Sequence, residues 1–385
     1  MTYQQVLENA RTCIGPYCKA CNDCNGKVCR NTMPGPGAKG EGTGFIRNAE
    51  KWREICVNMD TICENSQVDT SFTLFGRTFE IPAFAAPVGA MRLHYGDKYD
   101  DLTYNDILVR ACANAGILAF TGDGTDPKVV EGAAAALKAN GGCGVPTIKP
   151  WDMDTIREKF ALVQEAEPFA IAMDIDAAGL PFLQGLTPPA GSKSVEELKQ
   201  IVSWAQRPFI LKGIMTARGA EKALEAGASG IVVSNHGGRV LDHCPATAEV
   251  LPEIVDAVGG KLTIFVDGAI RSGMDMFKAL ALGADAVLIG RPFVNTISTS
   301  RSSKPSLPTR CACAARTRSR RSSAPCCSAS DEYISYSIAL QEKADKGKSE
   351  EGDGEIEPFL SCFLLLYIIL LKAGTKLPRR ASEKI

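Results

Sequence analysis

One short segment of the chain combines a histidine with an arginine three residues later. It reads Ser234-Asn235-His236-Gly237-Gly238-Arg239. Histidine is the most frequent general base, and the planar guanidinium of arginine binds a carboxylate through two parallel hydrogen bonds. The two glycines allow backbone turns that other residues rarely adopt. This spacing predicts proton abstraction from a substrate that carries a carboxylate, although a lone histidine would more simply be a structural residue of a surface loop.

Two other segments pair glycine with arginine in a way that suits a phosphate. Gly268 precedes Arg271 by three residues, and Gly290 stands directly before Arg291. Glycine lets the backbone approach a phosphate closely, and arginine offers several donors to its oxygens. Either pair alone is weak evidence, because glycine is common at the ends of barrel strands. Together they predict a phosphate site.

Cysteines are concentrated near the N-terminus. The chain has 15, and five of them lie between Cys13 and Cys29. Residues Met1 to Gln5 lack the apolar core of a secretory signal, so we expect a cytoplasmic protein and consider disulfides a poor explanation. Cys18, Cys21, Cys24 and Cys29 contain two Cys-x-x-Cys steps in a row, which suits an iron–sulfur cluster or zinc. Reduced, partly buried thiols are the alternative.

Short apolar segments alternate with amphipathic helical patterns from residue 82 onward. The predicted strands are 83–88, 117–121, 144–148, 169–174, 208–212, 229–234, 262–267 and 285–289. Eight parallel βα units of this kind close into a barrel. We therefore predict an α/β protein with a (β/α)₈ barrel over residues 82–294, a cysteine-rich extension over 1–81 and a separate tail over 295–385.

The bulk composition is that of a soluble enzyme. The chain has 385 residues, of which 45% are hydrophobic and 23% charged, and its formal net charge is −1. Neither a basic surface for nucleic acid nor the composition of a disordered chain is present. We expect a small-molecule substrate and no nucleic-acid partner.

In a parallel barrel the catalytic groups lie at the carboxyl ends of the strands, where these motifs stand. The segment around His236, with Leu241-Asp242 and Pro245-Ala246-Thr247 after it, resembles the active-site signature of FMN-dependent 2-hydroxy-acid oxidases and dehydrogenases. The strands that carry Lys212, Asp267-Gly268 and Gly290-Arg291 are similar to the same family. The resemblance is dense over residues 209–294 and looser over 82–176.

This resemblance implies FMN as the cofactor and assigns roles to individual residues. His236 would take a proton from the substrate, Arg239 would hold the substrate carboxylate, and Asp174 would orient His236. Asp176 faces the same way along a strand and is an alternative to Asp174; either could instead cap a helix. Lys212 would place a positive charge near the flavin N1 and O2 and stabilise the reduced ring. The predicted cofactor-binding residues are Val88, Gly89, Lys149, Lys212, Ser234, Asp267, Gly268, Arg271, Gly290 and Arg291.

The chain departs from the family pattern at two places. Lys149-Pro150-Trp151 stands where the family has Gln-x-Tyr, so Lys149 would replace a flavin-binding glutamine and Trp151 a substrate-binding tyrosine. The segment from Met33 to Gly40 lacks the tyrosine that the family supplies there. Oxidation of a lactate-like or glycolate-like acid is the expected activity. Oxygen or a redox partner would accept the electrons, and the family also implies a homo-oligomer.

Two other hypotheses remain open at this stage. A flavin-using isomerase similar to type 2 isopentenyl diphosphate isomerase would share the barrel and the phosphate site. The pair His236 and Arg239 argues against it, because a carboxylate-binding fork has no evident role on a diphosphate-bearing alkene. The third hypothesis is a non-functional chain without a proper eighth helix.

That third hypothesis rests on an abrupt change of composition after residue 295. Residues 298–330 are rich in Ser and Arg, contain no acidic residue and show no amphipathic stripe. The eighth helix would therefore be missing. A frameshift near codon 296 is the preferred explanation, and a genuine basic tail is the alternative. The apolar run over 359–371 has 13 residues, whereas a membrane-spanning helix needs about 20, so a membrane anchor is not favoured.

Overall fold

The computed structural model describes residues 3–33, 35–58, 69–183 and 185–297. The strands are β1 Phe72–Leu74, β2 Arg77–Phe79, β3 Ala83–Ala85, β4 Ala119–Thr121, β5 Gly144–Ile148, β6 Ile171–Asp174, β7 Phe209–Ile214, β8 Gly230–Val233, β9 Thr263–Val266 and β10 Ala286–Ile289. The helices are α1 Tyr3–Arg11, α2 Thr43–Glu54, α3 Met91–Tyr95, α4 Asp101–Asn114, α5 Pro127–Ala139, α6 Met153–Gln164, α7 Val195–Ala205, α8 Ala217–Glu225, α9 Thr247–Val258, α10 Gly273–Ala281 and α11 Arg291–Ile297. Short 3₁₀ turns cover Ile175–Gly179, Pro181–Leu183 and His236–Gly238.

Strands β3 to β10 form a closed parallel barrel. The barrel closes where β10 pairs with β3, with Val287 opposite Ala83 and Ile289 opposite Ala85. All eight strands predicted from the sequence are present, most of them shorter than predicted, and each is followed by at least one helix. The (β/α)₈ prediction is confirmed.

Aromatic side chains fill the barrel interior and its amino-terminal end. Three of these side chains, Phe84, Phe120 and Phe265, are fully buried. The ring centroid of Phe265 lies 6.3 Å from that of Phe84 and 5.8 Å from that of Phe120. The hairpin β1–β2, which the sequence analysis did not predict, places Phe79 against Phe84 at 5.2 Å and against Phe169 at 5.6 Å. Burying a phenylalanine stabilises a fold by roughly 1.5–3 kcal/mol. This packing covers the amino-terminal end of the barrel and leaves the carboxyl end for the site.

Polar caps fix where the barrel helices begin. The side chain of Asp152 accepts a hydrogen bond from the Thr155 amide at the start of α6. Ser194 and Glu197 form a reciprocal capping box at the start of α7. Each cap satisfies amides that have no partner inside the helix and contributes about 1 kcal/mol. The loops that precede these helices carry the site, so the caps also fix the loop ends.

The N-terminal segment packs against the carboxyl end of the barrel. Asn48 on α2 exchanges side-chain hydrogen bonds with Asn235, and the Trp52 indole donates to the Gly268 carbonyl at 2.8 Å. Arg47 pairs with Glu249 on α9. Hydrophobic residues of α1 and α2 belong to the same buried cluster as the barrel. Within the extension that the sequence analysis set apart as 1–81, α1, α2 and the described residues between them therefore form a wall of the catalytic end, whereas the hairpin β1–β2 covers the other end.

The chain continues from β10 directly into the seven-residue helix α11, whose residues Phe293, Val294 and Ile297 are buried. The predicted tail begins at residue 295, but residues 295–297 belong to α11 and are buried. The rest of the predicted tail, residues 298–385, lies outside the described ranges, and the predictions about it remain predictions. Among the residues that the structure describes, no helix has the length and apolar character needed to cross a membrane.

Candidate active site

His236 begins a tight turn directly after β8. Its backbone has φ +55° and that of Gly237 has φ +62°, both in the left-handed region. A non-glycine residue held there costs about 1–3 kcal/mol, and such strain is concentrated at functional sites. His236 Nδ1 lies 3.2 Å from Asp176 Oδ2 and 3.3 Å from Asp176 Oδ1. Asp174 Oδ1 is 3.5 Å from the same nitrogen.

Asp176, the alternative carboxylate of the sequence analysis, therefore holds the hydrogen bond to the histidine. It lies in the 3₁₀ turn after β6 and packs on Gly213, which has φ +99°. A Cβ at Gly213 would lie 2.5 Å from the Asp176 Cγ, so only glycine leaves room for this carboxylate. Burial raises the pKa of Asp176, and the neighbouring Asp174 adds to this effect, while His236 opposes it.

Asp174 is instead the centre of a buried group of charges. Lys212 Nζ lies 3.1 Å from its Oδ1, and Lys149 Nζ lies 3.4 Å from its Oδ2. Burial opposes ionisation of Asp174, but His236, Lys212 and Lys149 together hold its pKa well below the ordinary value. Burial also opposes the charge on Lys212, yet its pKa is raised because three carboxylates face it, including Asp267 at 3.9 Å. Both side chains are therefore charged at neutral pH.

Arg239 is buried in the wall between the barrel and the N-terminal segment. Its guanidinium donates to the carbonyl oxygens of Gly35 and Gly37. Burial and the neighbouring Arg291 lower its pKa to about 10, so it remains a cation at neutral pH. The N-terminal loop thus fixes the position of the predicted carboxylate-binding fork.

One cavity at the carboxyl end of the barrel collects most of the residues predicted from the sequence. Its lining includes Val88, Gly89, Lys149, Asp174, Lys212, His236, Arg239, Asp267, Gly268, Arg271, Gly290 and Arg291. With Asp123, which also lines the cavity, the lining contains five Lys or Arg side chains and three Asp side chains, and this excess of basic residues favours an anionic ligand. The predicted phosphate-binding pairs Gly268 with Arg271 and Gly290 with Arg291 lie on this wall, after the last two strands.

The cavity also suits the polar edge of a flavin. Thr147 Oγ1 and Asp267 Oδ1 are buried with no hydrogen-bond partner among the described residues, and both residues line the cavity. Buried polar atoms without a partner are costly unless a ligand satisfies them. The Gly268 and Gly290 backbones, the two arginines and these two oxygens therefore fit FMN.

Two predicted site residues do not line this cavity. Trp151 is 1% exposed, and its indole donates to Asp123 Oδ2 at 2.7 Å instead of facing a substrate. Ser234 is fully buried, and its hydroxyl accepts a hydrogen bond from the His236 amide at 3.2 Å. Because Trp151 directly follows a two-residue turn after β5, its direction could not be read from the sequence. The structure assigns both residues to supporting the site.

Three residues that line the cavity were missed by the sequence analysis. Burial, together with the nearby cations Arg239 and Lys149, lowers the pKa of His94 to about 3. Tyr95 is buried beside it on α3, and burial raises the pKa of its phenol. Asp123 receives Lys159 Nζ at 2.6 Å as well as the Trp151 indole. The run Gly122-Asp123-Gly124 directly after β4 could have indicated Asp123, whereas no motif marks His94 or Tyr95.

The predicted metal ligands lie together in a different place. Cys18, Cys21, Cys24 and Cys29 all line a small second cavity, which shares Pro36 and Arg291 with the first. Cys13 is not part of this lining; its thiol lies 2.8 Å from Lys98 Nζ.

Comparison with known proteins agrees with this site. The sequence profile of the FMN-dependent dehydrogenase family matches residues 35–182 and 184–301. The chain belongs to this family. It is accordingly an FMN-dependent oxidoreductase built on a (β/α)₈ barrel.

The names of several relatives state the reaction that those proteins catalyse. The chain is 32% identical over 294 residues to a peroxisomal (S)-2-hydroxy-acid oxidase of Oryza sativa subsp. japonica, which covers 66% of this chain and 77% of the relative. It is 52% identical to 2-hydroxyacid oxidase 1 of Homo sapiens, but over 103 residues only, 27% of this chain and 28% of that protein. A solved structure of mandelate oxidase superposes with a TM-score of 0.62 at 26% identity, covering 78% of this chain and 87% of the other.

Proposed function

We propose that this family member oxidises a small 2-hydroxy acid to the corresponding 2-oxo acid. The observation that carries the proposal is the contact of His236 Nδ1 with Asp176 Oδ2 at 3.2 Å, beside the cavity that His236, Arg239 and Lys212 all line. A general base, a carboxylate-binding cation and a second cation for developing negative charge are the groups that this oxidation requires.

The chain's own residues divide the work as follows. Arg239 binds the substrate carboxylate and orients the carbon that bears the hydroxyl group. His236, with Nδ1 donating to Asp176, has its lone pair on Nε2 and removes a substrate proton there. FMN, when bound, supplies the two-electron acceptor for the oxidation. Lys212, which Asp174 holds in place, would supply a fixed positive charge beside the bound cofactor.

The lining of the cavity also indicates which substituent the preferred 2-hydroxy acid carries. Leu93, Leu180 and Leu183 line it beside the polar groups. These side chains suit an acid with an apolar substituent, such as the methyl group of lactate, better than glycolate. The named activities of the relatives, 2-hydroxy-acid oxidation and mandelate oxidation, support the same class of substrate.

Neither competing hypothesis is favoured by an observation. The isomerase alternative has no use for a cation that binds a substrate carboxylate, and the relatives described above are oxidases. The non-functional alternative depends on residues beyond 297.

We further propose a cytoplasmic protein, because a reducing compartment suits the nine free cysteines among the described residues. The family resemblance supports a homo-oligomer, and either oxygen or a redox partner as electron acceptor.

The test is anaerobic reduction of the bound flavin. The purified full-length chain would be mixed with L-lactate, glycolate or mandelate, and the flavin absorbance followed. We expect bleaching with at least one of these acids, and a rate at least about 10²-fold lower in His236→Ala with FMN content unchanged. Flavin bands that none of the acids bleaches, or a His236→Ala variant reduced at the parental rate, would refute the proposal.

A further inference from the structure

The second cavity is built almost entirely by one irregular segment. Between α1 and α2, residues 12–42 form neither helix nor strand in the part that the structure describes. Segments of this length without regular structure are uncommon inside a compact fold and usually carry a function. Four cysteines of this segment, Cys18, Cys21, Cys24 and Cys29, line the same cavity, although they span only twelve residues of the sequence.

The backbone of the segment turns sharply between the cysteines. Ala20 has φ +42° and Gly26 has φ +87°, one on each side of the central pair Cys21 and Cys24. Between them, the Asn25 side chain binds Asp23 and accepts from the Lys27 amide at 3.1 Å. These turns bring the four thiols to one side of the loop without forming any disulfide among the described cysteines. Free thiols gathered around a common cavity are the usual donors of a metal centre.

Arginine side chains lie around this cavity. Arg271 Nη2 is 3.6 Å from Cys24 Sγ, and its Nε donates to the Cys24 carbonyl at 3.2 Å. Arg291 lines the cavity beside the cysteines. Four thiolates with an iron–sulfur core carry a net negative charge, which neighbouring guanidinium groups stabilise. The positive surroundings therefore suit an anionic metal centre.

A zinc site fits the structure less well. A single tetrahedral zinc ion with bonds of about 2.3 Å would hold its sulfur ligands about 3.8 Å apart. In the described ranges no three cysteine sulfurs lie within 4.8 Å of one another. The core of an iron–sulfur cluster is larger than a single zinc ion, so the cysteine sulfurs that bind it lie farther apart.

We propose that Cys18, Cys21, Cys24 and Cys29 bind a [4Fe–4S] cluster. The spacing Cys-x₂-Cys-x₂-Cys-x₄-Cys places all four ligands in one short run. Its first three cysteines have the spacing of the bacterial ferredoxin run, whose fourth cysteine comes one residue earlier and ligates the other cluster in two-cluster ferredoxins. Cys13, held by Lys98, is not a ligand. The cluster organises the irregular segment, because metal binding supplies folding free energy to loops that lack regular structure.

The position of the cluster gives it a role that rests on the proposed function. Pro36 and Arg291 line both the cysteine cavity and the flavin cavity, so the two sites share a wall. Oxidation of one 2-hydroxy acid releases two electrons and two protons. A cluster carries one electron at a time, so two successive transfers to an external one-electron carrier protein balance each turnover, and the protons pass to water.

The test is metal analysis of the full-length chain produced without oxygen and supplied with iron and sulfide. We expect about four iron and four sulfide per chain, in addition to FMN, and an electron paramagnetic resonance signal after reduction with dithionite. One equivalent of zinc without iron, two iron per chain, or no metal in protein that holds its flavin would each overturn the assignment.

Variants separate the ligands from the other thiols. Cys21→Ser and Cys24→Ser should lose most of the iron, whereas Cys13→Ser and Cys56→Ser, which change thiols outside the cavity, should retain it. FMN content reports on folding in each variant. With ferricyanide as the one-electron acceptor, the ligand variants should turn over at least about tenfold more slowly while a 2-hydroxy acid still reduces their flavin. Full iron content in Cys21→Ser would overturn the cluster, whereas unreduced flavin in every protein would instead refute the proposed function.

Discussion

The imidazole of His236 is held by Asp176, whose Oδ2 lies 3.2 Å from Nδ1, and not principally by Asp174. Asp174, the last residue of β6, lies two residues earlier in the chain and binds two lysines, Lys212 and Lys149. The two carboxylates are close enough to influence each other, yet they have different partners. Their roles are therefore experimentally separable.

Replacing Asp176 by asparagine should impair catalysis more than stability. The amide keeps the shape of the side chain but can present a donor to Nδ1, which favours the wrong imidazole tautomer. We expect the rate of flavin reduction by a 2-hydroxy acid to fall about 10²- to 10⁴-fold while FMN stays bound. Stopped-flow absorbance under anaerobic conditions measures this rate.

Asp174→Asn is the matched variant and should behave differently. Removing its charge leaves two buried lysines without their main partner, which costs about 3–5 kcal/mol when a buried pair is broken. We expect a lower midpoint of urea unfolding and weaker FMN retention. If Asp176→Asn proves the less stable of the two and Asp174→Asn only slows catalysis, the roles assigned here are reversed.

Trp151→Phe should lower stability and leave substrate affinity unchanged. The substitution removes the indole donor to the buried Asp123, and an unsatisfied buried group costs about 1–3 kcal/mol. Urea unfolding gives the stability, and steady-state kinetics give KM for the acid. Trp204→Phe, a half-buried tryptophan stacked with Arg157, is the control and should cost less. A large rise in KM with unchanged stability would restore Trp151 as a substrate-binding residue.

His94 should make the fold sensitive to acid. Its pKa is about 3 in the folded protein, against an ordinary value of 6.5, because it is buried near Arg239, Lys149 and His236. Between pH 6.5 and 3 the unfolded chain binds a proton that the folded chain does not. Stability therefore decreases as the pH falls through this window, by up to about 1.4 kcal/mol per pH unit for one group.

The measurement is urea unfolding at several pH values from 7 to 4. His94→Gln should lose less stability than the parent over this range, because glutamine has no proton to bind. His243→Gln, at a largely exposed histidine, should follow the parent. Parallel curves for the parent and His94→Gln would show that His94 does not contribute to the acid sensitivity.

The chain beyond Asn295 should not be the native continuation of the barrel. The composition changes at residue 298, and the family match extends only six residues past Asn295, to residue 301. We expect another reading frame near codon 296 to encode an amphipathic eighth helix, and the restored protein to be more soluble and to hold more FMN. Expression of both versions and comparison of soluble yield and flavin content tests this expectation. The absence of such a helix from both other frames would exclude a frameshift.

Local patterns in the sequence determined the barrel and most of its cavity. The apolar pattern of a strand and the glycine at a helix end are signals that span only a few residues. In a parallel barrel the carboxyl ends of all strands meet at one end, and this follows from the topology alone. The positions of His236, Lys212, Arg239, Arg271 and Arg291 on one cavity wall could therefore be predicted.

Only the tertiary structure decided how the side chains pair. Alternation along a strand places residues i and i+2 on one face, but β6 ends at Asp174 and a 3₁₀ turn sets the direction of Asp176. Trp151 does not line the cavity, and its indole donates to Asp123, which lies in the loop after β4. The four N-terminal cysteines share a wall with the flavin cavity because an irregular segment packs there. Such contacts join residues distant in sequence, and their geometry depends on the packing of the whole barrel end, which no local pattern encodes.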